Sequence, residues 1–179
     1  MPTRVVESSN ISGVYVVHLA PFEDPRGRFL ETWRRSWIPG AREMVQANRS
    51  DSRAGVLRGL HYHLRQADFW YVPTGRIRAV LYDFRRSSPT SGATQVLEMG
   101  DGHDIGVYIP SGVTHGFRAL SDAVMTYLVD EYYDGKDELG ILWNDPSLGL
   151  DWGAGTPVLS ERDLRNPLAS AIPADLLPR

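Results

Sequence analysis

The segment Arg76–Phe84, RIRAVLYDF, alternates between two kinds of side chain with a period of two. Ile77, Ala79 and Leu81 fall on one face of an extended chain because successive side chains of a strand point to opposite sides. The opposite face carries Arg76, Arg78, Val80 and Tyr82. The segment therefore predicts a β-strand with one continuous apolar face.

The same strand-like character recurs along the chain, between short turns rich in Gly, Pro, Asp and Ser. Further predicted strands are GVYVVHLAPF (13–22), FWYVP (69–73), TQVLEM (94–99), VYIP (107–110), FRAL (117–120) and VMTYLVDEYY (124–133). Helical patterns are few: AREMVQA (41–47) predicts about two turns, and the tail SERDLRNPLASAIPADLL (160–177) predicts one or two more. We expect an all-β jelly-roll barrel or sandwich with a few short peripheral helices, formed by residues 1–179 as one domain.

Composition excludes several classes of function. The 179 residues include no cysteine, so disulfides, thiolate metal sites and a cysteine nucleophile are ruled out. A net charge of −3 argues against a nucleic-acid-binding surface. The sequence has neither a secretion signal nor an apolar run long enough to span a membrane, and we expect a cytoplasmic protein. The sequence contains no glycine-rich nucleotide-binding fingerprint. A tightly bound nicotinamide cofactor and an ATPase cycle are therefore not supported.

Three of the five histidines lie close to glycines and near predicted strand ends, namely His61, His63 and His115. His61 and His63 are separated by one residue, so both point to the same side of a strand. If that side faces the interior of a barrel, both line the cavity where small ligands bind. The other two, His18 and His103, are predicted to be packing or surface residues.

Several motifs together resemble the dTDP-4-dehydrorhamnose 3,5-epimerase family of deoxysugar biosynthesis. They follow one another in unbroken order over about residues 12–168 and leave 169–179 as a tail. The most specific are FEDPRGRFLETW (22–33), RGLHYH (58–63), YIPSGVTHGFRALSD (108–122), TYLVDEYYD (126–134) and LSERD (159–163). The resemblance implies a cupin-type jelly roll and a homodimer whose N-terminal strand completes the partner's site.

The family chemistry implied by this resemblance is proton abstraction beside a ketone. Inversion at C3, C5 or both, in a nucleotide-linked (dTDP) 4-keto-6-deoxysugar, proceeds through an enolate and needs no redox cofactor. The resemblance implies that His61 is the base, that Asp163 orients it and that Tyr127 is the acid. It assigns substrate binding to Gln46, Asn48, Arg58 and His115, and to Arg26, Phe29 and Glu31 supplied by the partner chain.

The sequence departs from the family pattern at two positions. Asp68 stands where the family has a lysine that steadies the enolate oxygen, and an ionised aspartate has the wrong charge for that task. His63 replaces a glutamine. Together with His61 and His115, these residues match the two metal-binding motifs of cupins, a donor set suited to Zn²⁺, Fe²⁺, Mn²⁺ or Ni²⁺.

Three functional hypotheses follow from the sequence. The leading one is an epimerase that needs no cofactor, because LSERD and MTYLV retain the family's base partner and acid. The second is a metal-dependent cupin, an isomerase or oxygenase, in which His61, His63, Asp68 and His115 hold one divalent ion; a plain charge pair between His63 and Asp68 is the simpler interpretation of that motif. The third is a sugar-nucleotide-binding cupin without turnover.

Overall fold

The computed structural model describes residues 3–179, which form two antiparallel sheets and a separate hairpin. The six-stranded sheet has the order β1-β2-β10-β7-β12-β5. Its strands are β1 (Arg4–Glu7), β2 (Tyr15–His18), β5 (Gln46–Ser52), β7 (Asp68–Thr74), β10 (Ile105–Ile109) and β12 (Ala123–Val129). The hairpin pairs β3 (Phe22–Asp24) with β4 (Gly27–Phe29).

The second sheet has five strands in the order β13-β6-β11-β8-β9. They are β6 (Leu57–Tyr62), β8 (Arg76–Asp83), β9 (Thr94–Gly100), β11 (Val113–Ala119) and β13 (Leu139–Gly140). Non-consecutive neighbours in both sheets give the crossed connections of a jelly roll. The all-β prediction is confirmed.

The strand predicted at RIRAVLYDF is β8, and its two faces belong to different apolar clusters. Ile77, Ala79 and Leu81 are buried in the core between the sheets. Val80, on the opposite face, packs with Trp152 and other residues of the C-terminal region. Both faces of the second sheet are therefore covered, and the C-terminal region is anchored against it.

Helices are short, as predicted, and lie at the periphery. The α-helix α1 spans Glu161–Arg165, and 3₁₀ turns span Arg35–Trp37, Ala169–Ala171 and Ala174–Leu176. The helical turns predicted for the tail are confirmed. None of the helices found in residues 3–179 has the length and apolar character needed to cross a membrane.

The prediction of helix at AREMVQA is wrong. Residues 41–45 are irregular and β5 begins at Gln46. β5 pairs with β12 over seven residues, and Val45 donates a further hydrogen bond to the carbonyl of Val129 at 2.8 Å. A two-turn helix is marginal in water, so this cross-strand pairing prevails over the local helical preference.

Strands β6 and β11 approach each other closely beside two of the predicted site residues. Gly59 has φ +135°, and a Cβ placed there would lie 2.8 Å from the Cα of Gly116. Only glycines permit this backbone geometry and this separation. The register places His61 directly opposite His115.

Candidate functional site

A cavity of about 590 Å³ opens between the two sheets. The six-stranded sheet contributes Gln46, Asn48, Asp68, Trp70, Met125 and Tyr127 to its wall, and the five-stranded sheet contributes Leu57, Arg58, His61, His115 and Phe117. Loop residues His63, Gln66, Glu138 and Ser160, with Arg162 and Asp163 of α1, complete much of the remainder. Most of the site residues predicted from the sequence are thus brought into one space.

His61 and Asp163, 102 residues apart in sequence, form a close polar pair in the cavity. The Nε2 atom of His61 lies 2.7 Å from Oδ1 of Asp163. A carboxylate can only accept, so Nε2 carries the proton and donates it to Asp163. Nδ1 of His61 is left with the lone pair that a base needs.

Asp163 is held rigidly in the first turn of α1. Ser160 caps the helix, and its Oγ accepts a hydrogen bond from the Asp163 amide at 3.1 Å. Burial raises the pKa of the Asp163 carboxyl, but its hydrogen bonds, chiefly the one with His61, outweigh burial and bring the pKa below its ordinary value. Asp163 is consequently ionised at neutral pH and fixes the tautomer of His61.

Tyr127 lies on β12, in the sheet facing His61. Burial raises the pKa of its phenol, and the carboxylates of Asp68 and Glu138 raise it further. The phenol therefore remains protonated at neutral pH. The cavity has a basic imidazole on one wall and a proton-carrying phenol on the other.

Three further predicted binding residues offer polar groups to the cavity. Gln46 donates a hydrogen bond from Nε2 to Oδ1 of Asn48 at 2.9 Å. The Oδ1 atom of Asn48 is thus occupied, and the Nδ2 donor of Asn48 is available to a ligand. Arg58 is held by Oγ of Ser52 at 3.0 Å and by the carbonyl of Asp51 at 3.2 Å. Within residues 3–179 no carboxylate forms an ion pair with Arg58, so its positive charge is available to an anionic ligand.

His63, Asp68 and His115 form a second group, called here the His63–Asp68–His115 cluster. One possible ligand atom from each lies within 4.8 Å of the other two. His61 is not a member of this group, and its Nε2 atom meets Asp163 instead, so the four-residue metal set predicted from the motifs is reduced to three. His63 and Asp68 do not form the alternative charge pair either: Asp68 instead accepts from Gln66 at 2.8 Å and from the Trp70 indole at 3.0 Å.

His115 is fully enclosed beside this carboxylate. Burial lowers the pKa of His115 to about 4; the Asp68 carboxylate opposes this shift and His63 reinforces it. Its imidazole is therefore neutral at pH 7, with Nδ1 donating to the carbonyl of Val113 at 3.0 Å. A neutral His115 can donate or accept a hydrogen bond but cannot supply a positive charge to a diphosphate.

The three residues assigned to the partner's site lie away from the cavity of their own chain. Arg26 and Phe29 belong to the β3–β4 hairpin, and Phe29 is 72% exposed. Arg26 forms an ion pair with Asp24, and the Arg26 side chain is 90% exposed. Glu31 follows the hairpin and pairs with Arg34.

Sequence reasoning missed several polar residues of the cavity wall, including Gln66, Trp70, Glu138 and Arg162. Trp70 follows Asp68 by two residues on β7, which is a strand-face signal that was available, whereas Gln66 lies in the loop that precedes the strand. Glu138 and Arg162 form an ion pair at 2.7 Å that joins the segment beside β13 to α1. Burial raises the pKa of Glu138, but the Arg162 guanidinium outweighs this and lowers it overall.

Comparisons with known proteins agree with this geometry. The family model described as dTDP-4-dehydrorhamnose 3,5-epimerase matches residues 8–170. The spore coat polysaccharide biosynthesis protein SpsL of Bacillus subtilis is 39% identical over 146 residues, which are 79% of this chain and 96% of SpsL.

Two crystal structures extend the similarity to the fold. The dTDP-6-deoxy-D-glucose-3,5-epimerase of Legionella pneumophila, solved with dTDP-4-keto-L-rhamnose, is 32% identical with a TM-score of 0.93, covering 99% of this chain and 98% of that one. NovW, a 4-keto-6-deoxy sugar epimerase of the novobiocin gene cluster of Streptomyces spheroides, is 36% identical with a TM-score of 0.91, covering 98% and 92%. The cupin-type fold predicted from the motifs is confirmed, and the chain belongs to the dTDP-4-dehydrorhamnose 3,5-epimerase family of isomerases.

Proposed function

We propose that this protein inverts C3, C5 or both in a dTDP-linked 4-keto-6-deoxysugar. The observation that carries the proposal is the placement of His61 and Tyr127 on opposite walls of one cavity. Epimerisation requires removal of a proton from one face of a carbon and return of a proton to the other. A base and an acid on facing sheets suit that requirement.

The chemistry follows from the protonation states of the two groups. Nδ1 of His61 takes the proton from the carbon beside the C4 ketone, and the C–H electron pair becomes the double bond of an enolate. Asp163 stabilises the resulting imidazolium through Nε2. Tyr127 then gives its phenolic proton to the opposite face of the carbon, and solvent restores both groups. No step transfers a hydride, so a redox cofactor is not required.

The nucleotide-linked substrate is supported by charge. Arg58 is the cavity-lining cation that no carboxylate neutralises among the described residues, and a diphosphate is the anionic part of a nucleotide sugar. The Asn48 amide is available to a neutral polar group of the ligand. The cytoplasmic location expected from the sequence forms part of this proposal.

Product analysis tests the reaction. The protein is incubated with dTDP-4-keto-6-deoxyglucose, the keto sugars are reduced with borohydride, and the hexoses are identified by chromatography after hydrolysis. Sugars inverted at C3 or C5 are expected. Tight binding of the nucleotide sugar with no inverted product would instead support the binding protein without turnover and refute the proposal.

Replacing Asp163 with Asn should slow the reaction by roughly 10²-fold, within the range of general-base contributions. The amide no longer stabilises the imidazolium or enforces the Nε2–H tautomer of His61. Initial rates of product formation measure the effect. Glu161→Gln is the matched control because Glu161 is an exposed residue of the same helix that pairs with Arg165; equal rates for the two variants would refute the role of Asp163.

We further propose a two-fold homodimer in which each β3–β4 hairpin completes the partner's site. The hairpin pairs with no other strand of the described chain, and Phe22 and Phe29 are 81% and 72% exposed. Two exposed phenylalanines on one short hairpin are typical of a surface covered by a partner. In this arrangement Arg26, Phe29 and Glu31 lie at the partner's cavity.

Arg26→Ala should then weaken binding of dTDP about tenfold, because one charge-assisted contact to the nucleotide is lost. Calorimetric titration measures the change, and Arg86→Ala, which removes an exposed arginine elsewhere, should have no effect. Sedimentation should give a dimer for both variants. A monomer at all concentrations, or unchanged affinity in Arg26→Ala, would contradict the exchange.

A further inference from the structure

We propose that the His63–Asp68–His115 cluster binds a divalent transition-metal ion of the Zn²⁺ type, with its open coordination positions facing the cavity. Two imidazoles and one carboxylate are a common ligand set for such ions at catalytic sites. The three residues come from different parts of the fold, and all three line the cavity. The binding site stands independently of the reaction, whereas the role of the ion rests on the proposed function.

Each of the two histidines has one ring nitrogen available to a metal ion. Nδ1 of His63 lies 2.7 Å from the carbonyl of Asp137, and Nδ1 of His115 lies 3.0 Å from the carbonyl of Val113. A carbonyl only accepts, so both Nδ1 atoms carry protons and both Nε2 atoms keep their lone pairs. Histidine ligands of metals are generally fixed by such a hydrogen bond through the second ring nitrogen.

Asp68 supplies the second, independent observation. It is 3% exposed, and among residues 3–179 no lysine or arginine forms an ion pair with it. Its hydrogen-bond donors, Gln66 and Trp70, are both neutral and each binds one carboxylate oxygen. A buried carboxylate without a cationic partner is costly, and a bound cation removes that cost.

The dimensions of the cluster suit a small ion after slight closure. Ligand atoms about 2.0–2.2 Å from Zn²⁺ lie roughly 3.4 Å apart in a tetrahedral site. The three ligand atoms are now within 4.8 Å of one another, a gap that side-chain rotation can close. Asp163 holds His61 outside the cluster, so the base remains free to act next to the ion.

The ion resolves the conflict raised by a buried carboxylate in a cavity proposed to form an enolate. An anion at this position opposes the negative charge that develops on the C4 oxygen of the enolate. A divalent ion held by one carboxylate and two neutral imidazoles leaves a net positive charge that would polarise the C4 carbonyl. The metal would thus stabilise the enolate oxygen while His61 and Tyr127 move the protons.

Metal content and metal affinity test the site. The protein is prepared without an affinity tag, its metals are quantified by mass spectrometry, and the chelated protein is titrated with ZnCl₂ by calorimetry. We expect binding of about one Zn²⁺ per chain. His63→Ala and Asp68→Asn should each weaken binding at least tenfold, and Gln66→Ala, which removes a donor to Asp68, roughly tenfold. His18→Ala is the matched control because His18 is exposed on β2, outside the cavity.

Thermal unfolding gives a second readout that does not depend on catalysis. Zn²⁺ should raise the melting temperature of the wild type and of His18→Ala, but not that of Asp68→Asn. Absence of binding, or unchanged binding in both cluster variants, would overturn the site. Failure of the proposed reaction alone leaves the metal affinity intact, so the two proposals fail separately. If chelated protein catalyses at the full rate, the role of the ion in catalysis is refuted.

Discussion

The His61→Asn variant is expected to lose epimerase activity by roughly 10²–10⁴-fold, the contribution typical of a positioned general base. Asparagine preserves much of the size and polarity of the side chain but has no basic nitrogen. Asp163 would keep a hydrogen-bond donor nearby, so the fold should survive. The rate of deuterium incorporation beside the ketone in D₂O measures the loss at the step where the base acts.

Two controls separate a chemical effect from a structural one. His18→Asn removes an exposed histidine and should exchange at the wild-type rate. His61→Asn should also bind Zn²⁺ as the wild type does, because His61 is outside the His63–Asp68–His115 cluster. Wild-type exchange in His61→Asn would show that another group is the base.

Tyr127→Phe should separate proton removal from inversion. Phenylalanine fills the same space on β12 but has no proton to return, so the enolate can be reprotonated only by other donors, including the imidazolium on the face it came from. We expect deuterium to enter the substrate while formation of inverted product falls by roughly 10²-fold or more. Proton NMR distinguishes deuterated substrate from inverted product in the same sample.

Tyr132→Phe is the matched control, because Tyr132 is 72% exposed and lies outside the cavity lining. It should give the wild-type ratio of inversion to exchange. If Tyr127→Phe also keeps that ratio, Tyr127 is not the acid. The proposal that a base and an acid face each other across the cavity would then be refuted.

The strands were predictable because the apolar side chains that alternate along the sequence are the side chains that each strand buries. The apolar face of β8 read from Ile77, Ala79 and Leu81 is the face that enters the core. The error at residues 41–47 has a physical cause: local helical preference is weak, whereas the pairing of β5 with β12 depends on a strand far along the chain. No local pattern carries that information.

The motifs predicted which residues belong to the candidate site but not how those residues group in space. Sequence resemblance paired His61 with Asp163, and the structure places the two 2.7 Å apart. The division between that pair and the His63–Asp68–His115 cluster could not be inferred, since His61 and His63 share a strand face by simple alternation. Only the three-dimensional structure shows that His63 stands apart from the His61–Asp163 pair and groups with Asp68 and His115.

The central claim is that this cavity removes and returns protons beside a ketone. It is tested most directly by incubating the wild-type protein with dTDP-4-keto-6-deoxyglucose in D₂O and following the C3 and C5 protons of the sugar by NMR. We predict that the signal at C3, at C5 or at both disappears as deuterium enters, at a rate proportional to protein concentration and far above the protein-free control. Retention of both signals at the rate of that control, with the nucleotide sugar bound, would contradict the account.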